Sequence, residues 1–337
     1  MKVKTLNATV QTWLILLMLF CYKGITAQTL TSYSWILLEA SGEPSKRHEN
    51  AFVEFDGKFY LLGGRGINPV NVFDPETNTW SSNRPTPFEI HHYQPVVYGD
   101  AIWIVGAMTG SYPKETPLEN IWKYYPKTDT WEKGPEIPID RRRGGAGAVV
   151  YQDKFYLVCG IDFGHTSGTN NLFDCYDPKN NTWKTLTKAP TIRDHFSAIV
   201  VNDKLYCIGG RNTSYHEPEN FSAFFGATNP YVDVYDFEKG QWTTLPEQFP
   251  KPAAAPAVVQ LGDVIIIAGG ESDQPKAHEE TWSFDPQTGN FTLLAPMATG
   301  RHGSHAVNYK GALYIAAGSP VKGGGNLNTI ERFSKTK

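Results

Sequence analysis

The chain has 337 residues, with 31 Lys and Arg against 34 Asp and Glu, a formal net charge of −3. So balanced a charge argues against a nucleic-acid-binding or anionic-membrane surface, since neither field nor patch favours a polyanion. Aromatic residues make up 13% of the chain, as packed β-structure requires, and some 310 residues remain for one repeat domain once a leader is set aside.

The leader comes first. Lys2 and Lys4 give a basic start, and Trp13 to Phe20 are unbroken apolar residues, too few to cross a bilayer. Gly24-Ile25-Thr26-Ala27 offers a small residue for cleavage, so residues 1–27 read as a signal peptide and 28–337 as the exported protein, secreted or periplasmic. A lipid anchor on Cys21 is the weaker reading, because Phe20 is a poor fit to the small residue such a signal needs. No later apolar run is long enough to span a membrane.

From Arg47 onward one phrase repeats six times: an apolar run, a tight turn, a β-rich run ending in two small residues, a variable loop, an aromatic-Asp-Pro turn and a Trp. The small pairs are Gly63-Gly64, Gly106-Ala107, Cys159-Gly160, Gly209-Gly210, Gly269-Gly270 and Ala317-Gly318. Trp80, Trp131, Trp183, Trp242 and Phe291 follow at intervals of roughly 50 residues, the length of one propeller blade. The sixth repeat ends soon after Ile330-Glu331-Arg332-Phe333 and lacks its Trp strand. Tyr33-Ser34-Trp35-Ile36-Leu37-Leu38 has that strand's composition and precedes Arg47 as Trp183 precedes Arg193, so the N-terminal strand is expected to close the ring.

Asp56-Gly57-Lys58-Phe59-Tyr60-Leu61-Leu62-Gly63-Gly64, then Phe73-Asp74-Pro75 and Trp80, returns as Asn202-Asp203-Lys204-Leu205-Tyr206-Cys207-Ile208-Gly209-Gly210, Tyr235-Asp236 and Trp242. In this phrase the chain resembles the Kelch family over nearly all of residues 28–337. The resemblance implies an all-β fold, a six-bladed Kelch β-propeller closed by the N-terminal strand. Cys159, Cys175 and Cys207 read as small buried residues, with a Cys159–Cys175 bridge as the alternative.

Strand order sorts the residues by face. The turns at Asp56-Gly57, Gly99-Asp100, Gln152-Asp153, Asn202-Asp203, Gly262-Asp263 and Lys310-Gly311 share a lower side with the Asp-Pro turns. The nine histidines belong to the upper half: His48, His91, His92, His195 and His302 head the innermost strands, His305 lies just inside one, and His165, His216 and His278 lie in loops. Arginine sorts the same way, whereas Lys58, Lys154 and Lys204 mark lower turns. Arg suits bidentate capture of a carboxylate, and His exchanges protons near neutral pH. Candidate substrate-binding residues are therefore Arg47, His48, Arg65, Arg142, Arg143, His165, Arg193, Arg211, Arg301 and His302. Arg47, Arg143, Arg193 and Arg301 also match the ordinary Kelch pattern, in which that arginine braces neighbouring blades.

Candidate catalytic residues are His195, His91, His92, Glu115 and Glu271, positioned to move a proton while arginines neutralise a carboxylate and favour an enolate-like state. The expected function is binding and transformation of an acidic mono- or oligosaccharide, a uronate or sialate, by an epimerase, mutarotase or lyase. Fold, export and an Arg/Glu-lined channel make the chain similar to the exported bacterial Kelch sialic-acid epimerases/mutarotases. A non-catalytic lectin for anionic glycans, or a protein-interaction propeller, is the alternative. No cofactor is expected and a monomer is. No metal is expected either, because adjacent histidines at a strand start, such as His91 and His92, point to opposite faces.

Overall fold

The computed structural model describes residues 27–336. The expected leader, Ala27 apart, and Cys21 lie outside the described residues. Six four-stranded antiparallel sheets follow one another along the chain. Blade one is built from Asn50–Phe55, Lys58–Gly63, Pro69–Asp74 and Thr79–Pro85. Blades two to five repeat the plan over 95–136, 147–185, 197–248 and 257–294. Among the described residues no helix is long and apolar enough to cross a membrane.

The sixth blade takes three strands from the C-terminal end, Ala306–Tyr309, Ala312–Ala316 and Ile330–Lys335, and its outer strand, Tyr33–Leu37, from the N-terminal end. Trp35 lies opposite Phe333, their rings 5.1 Å apart, and its indole N–H donates to Thr281 Oγ1 of blade five at 2.9 Å. The ring therefore closes as the repeat register requires.

Local chemistry sets each blade's turns. At Asp56-Gly57 and Lys310-Gly311 both residues have positive φ, the mirror-image turn whose twist matches that of the strands it joins. At the Asp-Pro turns the carboxylate caps the chain: Asp74 Oδ1 accepts from the amides of Glu76 and Thr77, and Asp177 does the same for Lys179 and Asn180. Alternate residues of each strand face opposite neighbours, so the core is six apolar clusters, one at each blade–blade contact. Ala51 and Leu62 pack toward blade two, whereas Phe52, Phe59 and Leu61 pack toward blade six. Cys159, Cys175 and Cys207 are free and buried, so no Cys159–Cys175 bridge forms, and burial pushes the Cys159 thiol up to about 12.

Four of the expected binding residues are part of this scaffold. Arg47, Arg143, Arg193 and Arg301 are fully buried inside their own blades. Arg193 donates to Asp233 Oδ2 at 2.5 Å and to the carbonyls of Cys207, Gly209 and Tyr231. Arg143 binds Asp174 and the carbonyls of Leu157 and Cys159, Arg47 binds Asn71, and Arg301 binds Glu331. Each guanidinium ties the start of an innermost strand to the second and third strands, leaving none of the four for a ligand.

Candidate functional site

The site is built on a ring of backbone. At the head of each innermost strand one residue adopts a left-handed conformation: Glu49, His92, Gly145, His195, Ala255 and Gly303, with φ of 55°, 54°, 58°, 52°, 49° and 67°. The amide of one donates to the carbonyl of the residue before it in the ring: His92 to Glu49, Gly145 to His92, His195 to Gly145, Ala255 to His195 and Gly303 to Ala255. Asn50 N, donating to Gly303 O, completes the circle. Glycine serves this geometry without strain, and at Gly303 a Cβ would come 2.9 Å from Glu49 Oε1. Glu49, His92 and His195 adopt it as large side chains, a cost of about 1–2 kcal/mol each that the ring does not require.

One residue earlier lies a second tier, His48, His91, Gly144, Asp194, Ala254 and His302. Each is paired through its backbone with the residue that follows the second strand of its own blade. This pairing lifts Arg65 above His48, Arg211 above Asp194 and Glu271 above Ala254. Together with the loops they enclose a bowl of about 380 Å³ at the upper mouth of the channel. Carboxylates Glu49 and Glu271, cations Arg65, Arg211 and Lys322, imidazoles His48, His92 and His165, and the rings of Tyr112 and Phe225 line it. Beneath it a passage of about 30 Å³ runs between Glu49, His92 and His195.

Charges in the bowl are cross-braced. Arg65 Nη2 donates to Glu115 Oε1 at 2.5 Å, and Arg211 Nη1 to Glu271 Oε1 at 2.5 Å. Glu271 Oε2 also accepts from the Gly323 amide at 2.7 Å and lies 3.3 Å from His302 Nε2. Burial raises the Glu49 carboxyl, but His302, His195, His48 and Arg65 outweigh that and hold it at about 2. Burial likewise opposes ionisation of Glu115 and Glu271, but the contacts with His165 and Arg65 at Glu115, and with His302, Arg211 and the Gly323 amide at Glu271, keep both below the usual carboxylate range.

The imidazoles are arranged by their neighbours. His91 is fully buried, and its Nε2–H donates to Gly110 O at 3.1 Å, which leaves Nδ1 as an acceptor. His92 Nδ1, 2.5 Å from His91 Nδ1, is then the donor, so His92 Nε2 carries a lone pair. His195 Nδ1–H donates to Asp194 Oδ1 at 2.5 Å, and its Nε2 is buried without a hydrogen-bond partner among the described residues. Asp194 is itself held by the Thr213 amide and the hydroxyls of Thr169 and Thr213. His165 Nδ1 lies 3.0 Å from Glu115 Oε1 but makes no hydrogen bond of good geometry among the described residues. Burial, reinforced by neighbouring positive charge, lowers His91 to about 4 and His92 well below its ordinary value, and burial lowers His165.

Of the expected site residues, the structure thus brings together His48, Arg65, His92, His165, Arg211 and Glu271 in the bowl, with His195 below it. Glu115 and His302 stand behind the wall as braces. His91 has both nitrogens engaged, so it orients His92 instead of reaching a ligand. Arg142 points outside: it pairs with Glu136 at 2.5 Å and Glu119 at 3.4 Å beside a separate open cleft of about 760 Å³ that contains no histidine. Glu49, Lys322 and Phe225 were missed by sequence reasoning. Glu49 had a signal, since Arg47-His48-Glu49 has the register of Arg193-Asp194-His195.

Residues 22–251 match the family described as the Attractin/LZTR1 beta-propeller. Kelch-like protein terF of Aspergillus terreus is 29% identical over 97% of this chain and 73% of that protein. Kelch-like protein 40 of Xenopus tropicalis is 26% identical over 53% of this chain and 29% of that protein, and Kelch-like protein 38 of Homo sapiens 24% over 84% and 45%. The chain thus spans less than half the length of these two vertebrate relatives. A solved structure described as "Structure of YjhT" superposes with a TM-score of 0.71 at 15% identity, covering 86% of this chain and 95% of that one, a likeness of fold.

Proposed function

The chain belongs to the Attractin/LZTR1 family of Kelch-type β-propellers, and because membership describes a scaffold and no reaction, we propose that its upper bowl binds a small acidic sugar and transforms it by proton transfer. The observation that carries this reading is a bowl of about 380 Å³, a small-molecule size, in which Arg65, Arg211 and Lys322 face Glu49 and the lone pairs of His92 and His165. Blade packing requires none of these groups.

The roles follow from the geometry. Arg211 gives Nε to Thr213 and Nη1 to Glu271, and among the described residues its Nη2 takes no hydrogen bond, leaving a donor for the sugar's carboxylate. Phe224 and Phe225, 4.8 and 5.0 Å from the guanidinium carbon, fix its plane. Neutralising the carboxylate stabilises the anion formed when the adjacent carbon loses its proton. Glu49, His92 and His165 line the same space in unprotonated form and supply the base. The basic, apolar leader supports action outside the cytoplasm.

A second reading is a lectin, favoured by half-exposed Tyr112 at the rim, its ring 5.0 Å from His165 and 6.5 Å from Phe221, a platform for a sugar face. Incubation with uronate- and sialate-containing saccharides, followed by mass and NMR analysis, separates the outcomes. Unsaturated products identify a lyase, isomerised products an epimerase or mutarotase, and saturable binding of an intact sugar a lectin. Absence of both binding and conversion across the panel overturns the proposal.

A further inference from the structure

We propose that His92, His165 and His195 together hold a divalent first-row transition-metal cation, with Zn²⁺ the best match, where the bowl meets the central passage. The three side chains come from blades two, three and four, and one nitrogen from each lies within 4.8 Å of the other two. A point therefore exists no more than about 2.8 Å (4.8/√3) from all three, and inward shifts of about 0.7 Å per ring reach the 2.0–2.1 Å of a zinc–imidazole bond. The expectation that His91 and His92 point to opposite faces fails, because His92 is left-handed and the two Nδ1 atoms lie 2.5 Å apart; His91 is kept from the ion instead by its engaged nitrogens, and His92 takes its partners from other blades.

Three further observations point to a cation. Two rings have their outer nitrogen committed by a hydrogen bond, His92 to His91 and His195 to Asp194, and His165 Nδ1 lies 3.0 Å from the Glu115 carboxylate. This is the supporting layer that fixes tautomer and orientation in histidine metal sites, and it leaves the Nε2 lone pairs of His92 and His195 for the ion. His195 Nε2 is buried with no partner among the described residues. The Glu49 carboxylate oxygen stands 3.5 Å from His92 Nε2, so two acceptors face each other, an arrangement that a cation between them relieves. Three neutral imidazoles and an open side suit Zn²⁺ and its neighbours over Mg²⁺ or Ca²⁺, which take oxygen donors. Because His92 and His165 both line the bowl, the fourth position opens there, where a water or a sugar oxygen completes the shell. The ion's part in a reaction rests on the reading of the bowl as a substrate site; its binding does not.

The test is titration of the chelator-stripped full chain with Co²⁺ and then Zn²⁺. We expect one Co²⁺ per chain, with the visible absorption of a four-coordinate nitrogen-rich site, displaced by Zn²⁺. Asp194→Asn and Glu115→Gln should each weaken binding about 10–100-fold, His195→Ala should abolish it, and His278→Ala on a neighbouring loop should leave it unchanged. If His195→Ala does not fold, the wild-type spectrum and the Asp194→Asn affinity still decide. No stoichiometric uptake of either cation by the wild-type chain, or equal affinity in Asp194→Asn and Glu115→Gln, overturns the proposal. The two readings fail separately: a chain that binds or converts a sugar acid but takes up no cation refutes the ion alone, and one that takes up the cation but no sugar acid refutes the reading of the bowl alone.

Discussion

Glu49 and His92 hold equivalent positions in neighbouring blades, both in the left-handed conformation, and their side chains meet 3.5 Å apart at the floor of the bowl. Glycine fills the same position in blades three and six. A large side chain there is tolerated for what it does, and this can be measured. Glu49→Gly removes a left-handed penalty of about 1–2 kcal/mol and adds unfolded-state entropy of roughly 0.5–1 kcal/mol. The carboxylate's interactions with His302, His195, His48 and Arg65 go as well, so the variant should lie within about 2 kcal/mol of wild type in a denaturant titration while losing sugar conversion. A destabilised variant that keeps activity would make Glu49 a structural residue.

The buried arginines should behave in the opposite way. Arg193→Ala leaves Asp233 charged and fully buried, a loss of about 3–5 kcal/mol in folding stability. Lys322→Ala, at the exposed rim of the bowl, should cost little stability but weaken binding of an acidic sugar on the order of tenfold. Melting curves and ligand titrations of the two variants separate the roles, and weakened binding by a stably folded Arg193→Ala would contradict the assignment.

Closure of the ring by the N-terminal strand predicts that truncation through Leu38 exposes Phe333 and the unpaired edge of Ile330–Lys335. The truncated chain should melt lower and aggregate. A truncated chain that melts like wild type would refute the closure.

His305 gives a pH signature. It is partly buried beside the central passage, its Nδ1–H donating to Asn50 O at 3.1 Å, and desolvation lowers it to about 4. Between pH 6.5 and 4 the unfolded chain binds this proton and the folded chain does not, so stability falls as pH falls. Across that window the loss is about 3 kcal/mol, from 1.36 kcal/mol per unit. His305→Asn should flatten the stability–pH curve by that amount; an unchanged slope would show that His305 does not titrate in this way.

The blades, their turns and the closing strand were legible because each recurs: a β-period, a positive-φ turn and a Trp strand repeated in register leave little freedom. The role of the buried arginines was legible too, within the chain itself. Blades with the arginine carry a polar partner on the third strand, Asn71, Asp174, Asp233 or Glu331. Blades two and five replace the arginine with Ile90 and Ala253, and Trp122 and Trp282 hold the partner's place opposite Ile104 and Ile267. A guanidinium that appears and disappears with a polar partner in the same repeat is a strut. The bowl was only half legible. Segregation of histidine to the upper face and the Asp194-His195 pair located it, but the engagement of both nitrogens of His91 depends on how the blade-two loop places Gly110 O, and the approach of Glu115 to His165 depends on that loop reaching blade three. No periodic pattern encodes those distances.

The most direct test of the bowl as the functional site is calorimetric titration of sialate and uronate sugars into the wild-type chain and His92→Ala. Wild type should bind one sugar acid per chain saturably, and His92→Ala, still folded, should bind it at least tenfold more weakly. Equal binding by the two proteins, or no binding of any sugar acid by the wild type, would contradict the account.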